Sequence, residues 1–324
     1  MNILFLLTIS ILTVFFGSLI FVNAIEYVGG LFNWSRSFVG AIISPFFTSF
    51  PELIVFVVAI LSADHVQGND IAIGVIFGEP FISSSLAYTL VLAAIIGSLF
   101  IKKKKKRYMD VDKGLAYPYI FVSILYPFLI LAGYLTRTLN YALGIVFLAA
   151  YVIYVYIMYK EESSLLGEEQ EEPFLGRFMN AKVASVLQLA VAIVLLYYGS
   201  ELIVHSISDL SLSIGIDALT LSIIIIPFAT AIPETLTAMI WGYQGKDTFA
   251  VASLVGEKVL YTTLYPGLAL LLIPWSINES AVVSVITAEV ISLVYIFFIR
   301  RGRFPLFALS FGLVFFVLYI YLVL

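Results

Sequence analysis

Apolar residues fill this chain in runs of about twenty, broken by short polar stretches, and a helix needs roughly 20 apolar residues to cross a bilayer. Ten runs fit that length, at about 2–27, 37–62, 71–100, 115–134, 139–159, 182–206, 217–243, 247–273, 279–299 and 304–323. Three of them carry helix breakers near their middles: Pro45 and Pro51, Gly78 and Pro80, and Pro227 and Pro233. Lipid tolerates a broken helix where the freed backbone lines a cavity or an ion site. The pattern predicts an all-α polytopic membrane protein of ten transmembrane helices, with broken helices at its centre.

Composition agrees. Of 324 residues, 62% are hydrophobic and 12% charged, and the mean hydropathy is +1.07. A soluble protein of this size cannot hide so much apolar surface. The opening stretch MNILFLLTISILTVFFGSLIFVNA has no basic n-region and about twice the usual h-region length, so it reads as a retained span rather than a signal peptide.

The basic residues give direction. With ten spans and both termini outside, 15 of the 17 Lys and Arg residues fall in inside loops; Arg137 falls outside and Lys258 within span 8. The positive-inside rule therefore predicts a cell-membrane protein with loops 100–114, 160–181 and 300–303 in the cytoplasm. The loop KEESSLLGEEQEEPFLGRFMNAK is strongly acidic and reads as a solvated connector between halves.

Cysteine is absent and the two histidines, His65 and His205, are far apart, which argues against thiolate or zinc chemistry. No HExxH, GxSxG or facing pair of aspartates occurs, so an enzyme is not expected. Neither a cofactor nor a nucleic-acid partner is implied. The oligomeric state is open, and a monomer is sufficient.

The halves repeat each other. Residues 17–52 and 199–234 align without a gap at an offset of 182, with 11 of 36 positions identical. The identities include Gly17/Gly199, Ser18/Ser200, Pro45/Pro227, Phe46/Phe228, Thr48/Thr230, Pro51/Pro233 and Glu52/Glu234. A second echo pairs Gly78-Glu79 with Gly256-Glu257 at an offset of 178. This divides the chain into a first five-helix repeat (1–159), an acidic linker (160–181) and a second five-helix repeat (182–324). Five spans per repeat invert the second copy in the membrane, an arrangement typical of secondary transporters.

An inverted repeat would bring Glu52 and Glu234 face to face. A carboxylate in mid-membrane usually marks an ion pathway, and two together need a bound cation or protons to offset their repulsion. Pro51 and Pro233 cannot donate to the carbonyls of Phe47 and Ala229, and Thr48, Ser49 and Thr230 add hydroxyls. Such an all-oxygen set suits a hard cation such as Ca²⁺ or Na⁺. Lys258, beside Glu257, is a candidate counter-charge or a structural ion-pair partner. Glu289 lacks a repeat partner and reads as a packing residue.

The duplicated segment resembles the signature repeats of the calcium:cation antiporters, specifically the sodium/calcium exchanger branch. The resemblance covers roughly 17–85 and 199–263 and implies ten helices in two inverted halves. It implies a secondary-active antiporter exchanging Ca²⁺, or a similar divalent cation, for Na⁺ or H⁺ by alternating access. Glu52 and Glu234 would be central ligands, with Thr48, Ser49 and Thr230 as hydroxyl and backbone partners. The chain departs from the family pattern at Phe47 and Ala229, which stand where a glycine is usual, and at Ala231, which replaces a serine. Val75 and Ser253 replace asparagines, and Glu79 and Glu257 replace serines, with Ser83 and Tyr261 further on. Glu79, Glu257 and Ser83 therefore join the candidate ligands. The added carboxylates keep proton coupling or altered divalent selectivity open, and a cation channel is the alternative from another class.

Overall fold

The computed structural model describes residues 3–29, 42, 44–103, 105–160 and 172–323. Arg36, Lys104 and most of the acidic linker (161–171) lie outside the described residues. Seven helical stretches among the described residues are long and apolar enough to cross a membrane: Ile3–Ile25, His65–Ile101, Lys113–Ala132, Arg137–Ile157, Ala181–Ile214, Glu279–Ile299 and Leu306–Val323. Phe50–Ile60 and Ala218–Ala231 are shorter apolar helices.

In chain order the helices are α1 (Ile3–Gly29), α2 (Ser44–Thr48), α3 (Phe50–Ile60), α4 (His65–Ile82), α5 (Tyr88–Ile101), α6 (Ala116–Leu125), α7 (Phe128–Ala132) and α8 (Arg137–Lys160). They continue with α9 (Ala181–Ile214), α10 (Ala218–Gln244), α11 (Asp247–Thr262), α12 (Leu264–Leu272), α13 (Glu279–Ile299), α14 (Leu306–Leu309) and α15 (Phe311–Val323). A π-helical turn, Ser83–Ala87, joins α4 to α5. Two short strands, β1 (Tyr108–Asp110) and β2 (Arg303–Pro305), pair antiparallel with Met109 opposite Phe304.

The breaks follow the sequence expectation in span 2, between Pro45 and Pro51, and depart from it further along the chain. The second span is interrupted at Ser49, between α2 and α3, and the eighth at Thr263, between α11 and α12. Span 7, expected to break at Pro227 and Pro233, is instead one continuous helix, α10. Each proline deletes a single N–H, and neighbouring turns hold the helix together when the freed group is sheltered by protein.

The chain forms two compact units, Met1–Val75 with Ala149–Pro233, and Ile76–Leu148 with Glu234–Leu324. Each draws on both halves of the sequence. In the first unit, the long helices α1 and α9 pack along each other. A Cβ on Gly17 would lie 3.2 Å from Leu196 Cγ and 3.3 Å from Leu195 Cβ. A Cβ on Gly199 would lie 2.9 Å from Val14 Cγ2 and 3.1 Å from Thr13 Cγ2. Thr13, Val14 and Gly17 become Leu195, Leu196 and Gly199 at the offset of 182, so the same contact is made twice with the roles exchanged. Small residues let two backbones approach where lipid supplies no hydrophobic drive. Near one end of this pair, Asn23 accepts from Phe174 N (2.8 Å) and from Gln188 Nε2 (3.0 Å), and Gln188 accepts from Leu175 N (2.7 Å).

The second unit holds an aromatic core. Tyr88, Tyr119, Tyr295 and Phe304 are buried and meet in tilted and edge-to-face contacts, with Tyr88 and Tyr295 ring centroids 4.4 Å apart. The hydroxyls of Tyr88 and Tyr119 are hydrogen-bonded. Lys106 forms an ion pair with Asp247 (2.5 Å) and Asp110 N donates to the same carboxylate (2.8 Å), which ties β1 to the first turn of α11.

Candidate functional site

In the first unit, the Pro-Phe-Phe-Thr-Ser-Phe-Pro-Glu stretch gains a local explanation. Ser49 leaves helical geometry (φ −81°, ψ 6°) and a new helix, α3, starts at Phe50. Pro51 and Glu52 thus occupy its first turn. Proline is tolerated there because the missing N–H has no intrahelical partner in any case, and a carboxylate is favoured beside the exposed N–H groups of a helix start. Glu52 is nonetheless 1% exposed, so its position is buried as well as polar.

The hydroxyls turn back on their own helices. Thr48 Oγ1 donates to Pro45 O (3.3 Å), Ser49 Oγ to Phe46 O (3.2 Å) and Thr230 Oγ1 to Ile226 O (3.0 Å). All three are buried. On α4, Gly74 allows close approach to α10, since a Cβ there would meet Ser222 and the Leu219 carbonyl.

The second unit carries the other half of the candidate set. Glu79 is buried one residue before Pro80, which lies inside α4. The π turn follows at once, with Ser83, Ser84 and Ser85 all buried. Single π turns inside helices are frequent at functional positions. Here Ser84 Oγ donates to Pro80 O (2.5 Å), Ser85 Oγ to Phe81 O (2.6 Å) and Tyr295 OH to Ser84 O (3.1 Å). The turn packs against α11, which bears buried Glu257 and Lys258. Gly312 on α15 lies directly against the Ser85 backbone, where a Cβ would collide.

Among the described residues Lys258 Nζ has no hydrogen-bond partner, and it lies 4.8 Å from the Tyr119 ring centroid and 6.0 Å from that of Tyr88. Glu289 and Glu79 are within electrostatic range of it. A desolvated cation over aromatic faces gains about 2 kcal/mol from the ring quadrupoles. That is less than the several kcal/mol an ammonium loses on leaving water, so the rings alone do not offset its burial.

The first unit thus holds Thr48, Ser49, Glu52 and Thr230, and the second holds Glu79, Ser83 and Glu257. Glu234 lies in α10; its side chain lies outside the described residues. Among the described residues, no three acidic or histidine side chains form a ready-made metal cage. Glu289, which the sequence reads as a packing residue, lies within electrostatic range of Lys258.

Comparison with known proteins gives three kinds of match. The sequence profile described as "Sodium/calcium exchanger protein" matches residues 2–160 and 184–324. The uncharacterized membrane protein MJ0091 of Methanocaldococcus jannaschii is 22% identical over 251 residues, covering 78% of this chain and 76% of that protein. Among solved structures, the H⁺/Ca²⁺ exchanger CAX superposes with a TM-score of 0.74 at 18% identity, covering 99% of this chain and 82% of that one. Native YfkE superposes at 0.73 and 16% identity, covering 98% and 91%. The sodium-calcium exchanger NCX_Mj superposes at 0.61 and 18% identity, covering 98% and 97%. The chain shares the fold of these structures.

Proposed function

The chain belongs to the sodium/calcium exchanger protein family, and on that premise we propose that it is a secondary-active antiporter exchanging Ca²⁺, or a similar divalent cation, for Na⁺ or H⁺ by alternating access. Glu52 and Glu234 are the central ligands. Thr48, Ser49 and Thr230 contribute hydroxyl and backbone oxygens, and Glu79, Glu257 and Ser83 complete the set. The observation that carries the reading is the duplicated Pro-Phe-x-Thr-x-x-Pro-Glu, whose first copy buries Glu52 within four residues of the Thr48 and Ser49 hydroxyls. A hard divalent cation takes such oxygens at little reorganisation cost.

Ten spans in two inverted five-helix repeats, with both termini outside, are the proposed topology. The reciprocal contact of Gly17 and Gly199 supports it, because a two-fold axis through the α1–α9 crossing requires each contact to recur with its partners exchanged. Movement of α1 and α9 against the remaining helices then gives alternating access.

Exchange against protons is favoured by one observation: Glu79 and Glu257 stand where the family carries serines, and carboxylates carry protons where hydroxyls suit Na⁺. Purified protein in liposomes decides between the two. Ca²⁺ uptake is measured under an imposed Na⁺ gradient and, separately, an imposed pH gradient. One gradient should drive uptake and unlabelled internal Ca²⁺ should accelerate entry of labelled Ca²⁺. A channel shows no such trans-stimulation, and uptake under neither gradient would overturn the proposal.

A further inference from the structure

Three serines in a row, Ser83 to Ser85, follow Pro80 inside the third span. Proline gives no N–H to the helix, and a serine hydroxyl competes with the backbone for the carbonyl four residues back. Ser84 Oγ donates to Pro80 O (2.5 Å) and Ser85 Oγ to Phe81 O (2.6 Å). In an α-helix those two carbonyls belong to the Ser84 and Ser85 N–H groups. Over Ser83–Ala87 the ladder widens into the π turn, which fits an extra residue into the helix and makes its backbone bulge.

Other helices of the second unit hold the bulge. Tyr295 OH, on α13, donates to Ser84 O (3.1 Å). Thr89 Oγ1 lies 3.2 Å from Ser85 O and 3.3 Å from Leu309 O, which joins the turn to the end of α14. A Cβ on Gly312 of α15 would stand 2.7 Å from Ser85 C and 2.8 Å from Ser85 Cα, and closer still to Ser85 O. Those are backbone atoms, so no rotamer change makes room for a side chain there. Gly312 and Tyr319 are the buried residues of α15. Tyr319 and Phe316 meet Phe81 just before the turn, at ring-centroid distances of 4.3 and 5.9 Å. The last span thus gives the bulge a glycine and the helix before it two rings.

The flanks fix how many residues the turn must hold. Tyr88, Val91, Ile95 and Ser98 form the buried stripe of α5, and Tyr88 belongs to the aromatic core. Relaxing the turn to an α-helix with every residue kept would rotate α5 by about 100° against α4. Tyr88 would then leave that core. The widened turn therefore reconciles two packed faces, and its bulge needs a place to go.

We propose that Gly312 and Tyr295 are positioning residues: they hold the π turn in its widened form and so set where Ser83, the candidate ligand it carries, stands. The transport consequence rests on the antiporter reading above. Residues of spans 9 and 10 that lie outside the ligand set then tune affinity for the transported cation.

Two arms test this separately. The first is thermal unfolding in detergent and needs no transport. Gly312→Ala should lower the midpoint in the full chain. Deletion of Ser85 takes the extra residue out of the turn and should remove most of that loss. An equal loss in both backgrounds makes Gly312 an ordinary packing contact and overturns the proposal. If the deletion does not fold, Tyr295→Phe takes its place in the cycle. Losses from Tyr295→Phe and Gly312→Ala that fall short of additivity support a shared hold on the turn, and losses that simply add overturn it. If Gly312→Ala folds in neither background, the second arm decides.

That arm uses Tyr295→Phe, which keeps the ring in the core and drops only the hydroxyl. In liposomes its half-saturating Ca²⁺ concentration should rise about threefold to tenfold, the worth of one hydrogen bond, with a smaller change in maximal flux per folded molecule. A residue that only stabilised the fold would lower the yield of folded protein and leave half-saturation at the wild-type value; that result overturns the proposal. Should wild type carry no Ca²⁺ under either gradient, the antiporter reading fails while the thermal arm still decides whether α13 and α15 hold the turn.

Discussion

Adding one methyl group at Gly17 and at Gly199 should have different effects, although the two positions are equivalent in the repeat. Replacing a helical glycine by alanine gains about 1 kcal/mol of intrinsic helix propensity. At Gly17 the nearest atoms to the new methyl are Leu196 Cδ2 and Cγ and Leu195 Cβ, at 3.2–3.3 Å. These contacts are tight without overlap and need only a small shift, so Gly17→Ala should be neutral within about 0.5 kcal/mol after a small packing cost. At Gly199 the methyl lies 2.9 Å from Val14 Cγ2 and 3.2 Å from Val14 N, a β-branched side chain and a backbone atom. Neither yields without moving α1, and overpacking of that kind costs about 1–3 kcal/mol. The net loss for Gly199→Ala is then about 1 kcal/mol, a drop of roughly 2–4 °C in midpoint for a large domain. Thermal unfolding of purified protein in one detergent, monitored by size-exclusion fluorescence, measures the difference. A midpoint for Gly17→Ala as low as that for Gly199→Ala, or a rise in the latter, would refute the reasoning. The double variant should not be additive, because both methyls act on one crossing.

Three further substitutions probe polar anchors within the two units. Asp247→Ala strands Asp110 N–H and the Lys106 ammonium at the start of α11, and should cost about 1–3 kcal/mol. Lys106→Ala should cost under about 1 kcal/mol because that side chain is partly exposed, and the ratio of the two is read from the same melts. Asn23→Ala unpairs Phe174 N–H and the Gln188 amide. The expected result is faster limited proteolysis around 172–178 with an unchanged global midpoint; equal cleavage rates would show that Asn23 does not anchor that segment.

Much of the helix framework was legible because lipid demands long apolar runs, and the helices α1, α8, α9 and α13 follow them closely. The repeat was legible because Pro-Phe-x-Thr-x-x-Pro-Glu is an expensive pattern to hold in a membrane twice. Gly17 and Gly199 were among its identities, and they form the reciprocal crossing. The breaks were less legible. Pro51 marks a helix start while Pro233 sits within a continuous helix, since a proline's effect depends on what shelters the backbone around it. The β1–β2 pairing joins residues 108–110 to 303–305, a long-range contact that no local pattern in two charged loops announces. Glu289 was read as a packing residue for want of a repeat partner, and its electrostatic proximity to Lys258 arises between residues far apart in sequence, which no local pattern announces.

The central claim is that Glu52 and Glu234 hold the transported divalent cation. Its most direct test is labelled Ca²⁺ flux in liposomes containing wild type, Glu52→Gln or Glu234→Gln, matched for folded protein by size-exclusion. The account predicts that either neutral variant, with its shape retained, abolishes gradient-driven Ca²⁺ uptake. Wild-type flux in either variant would contradict it.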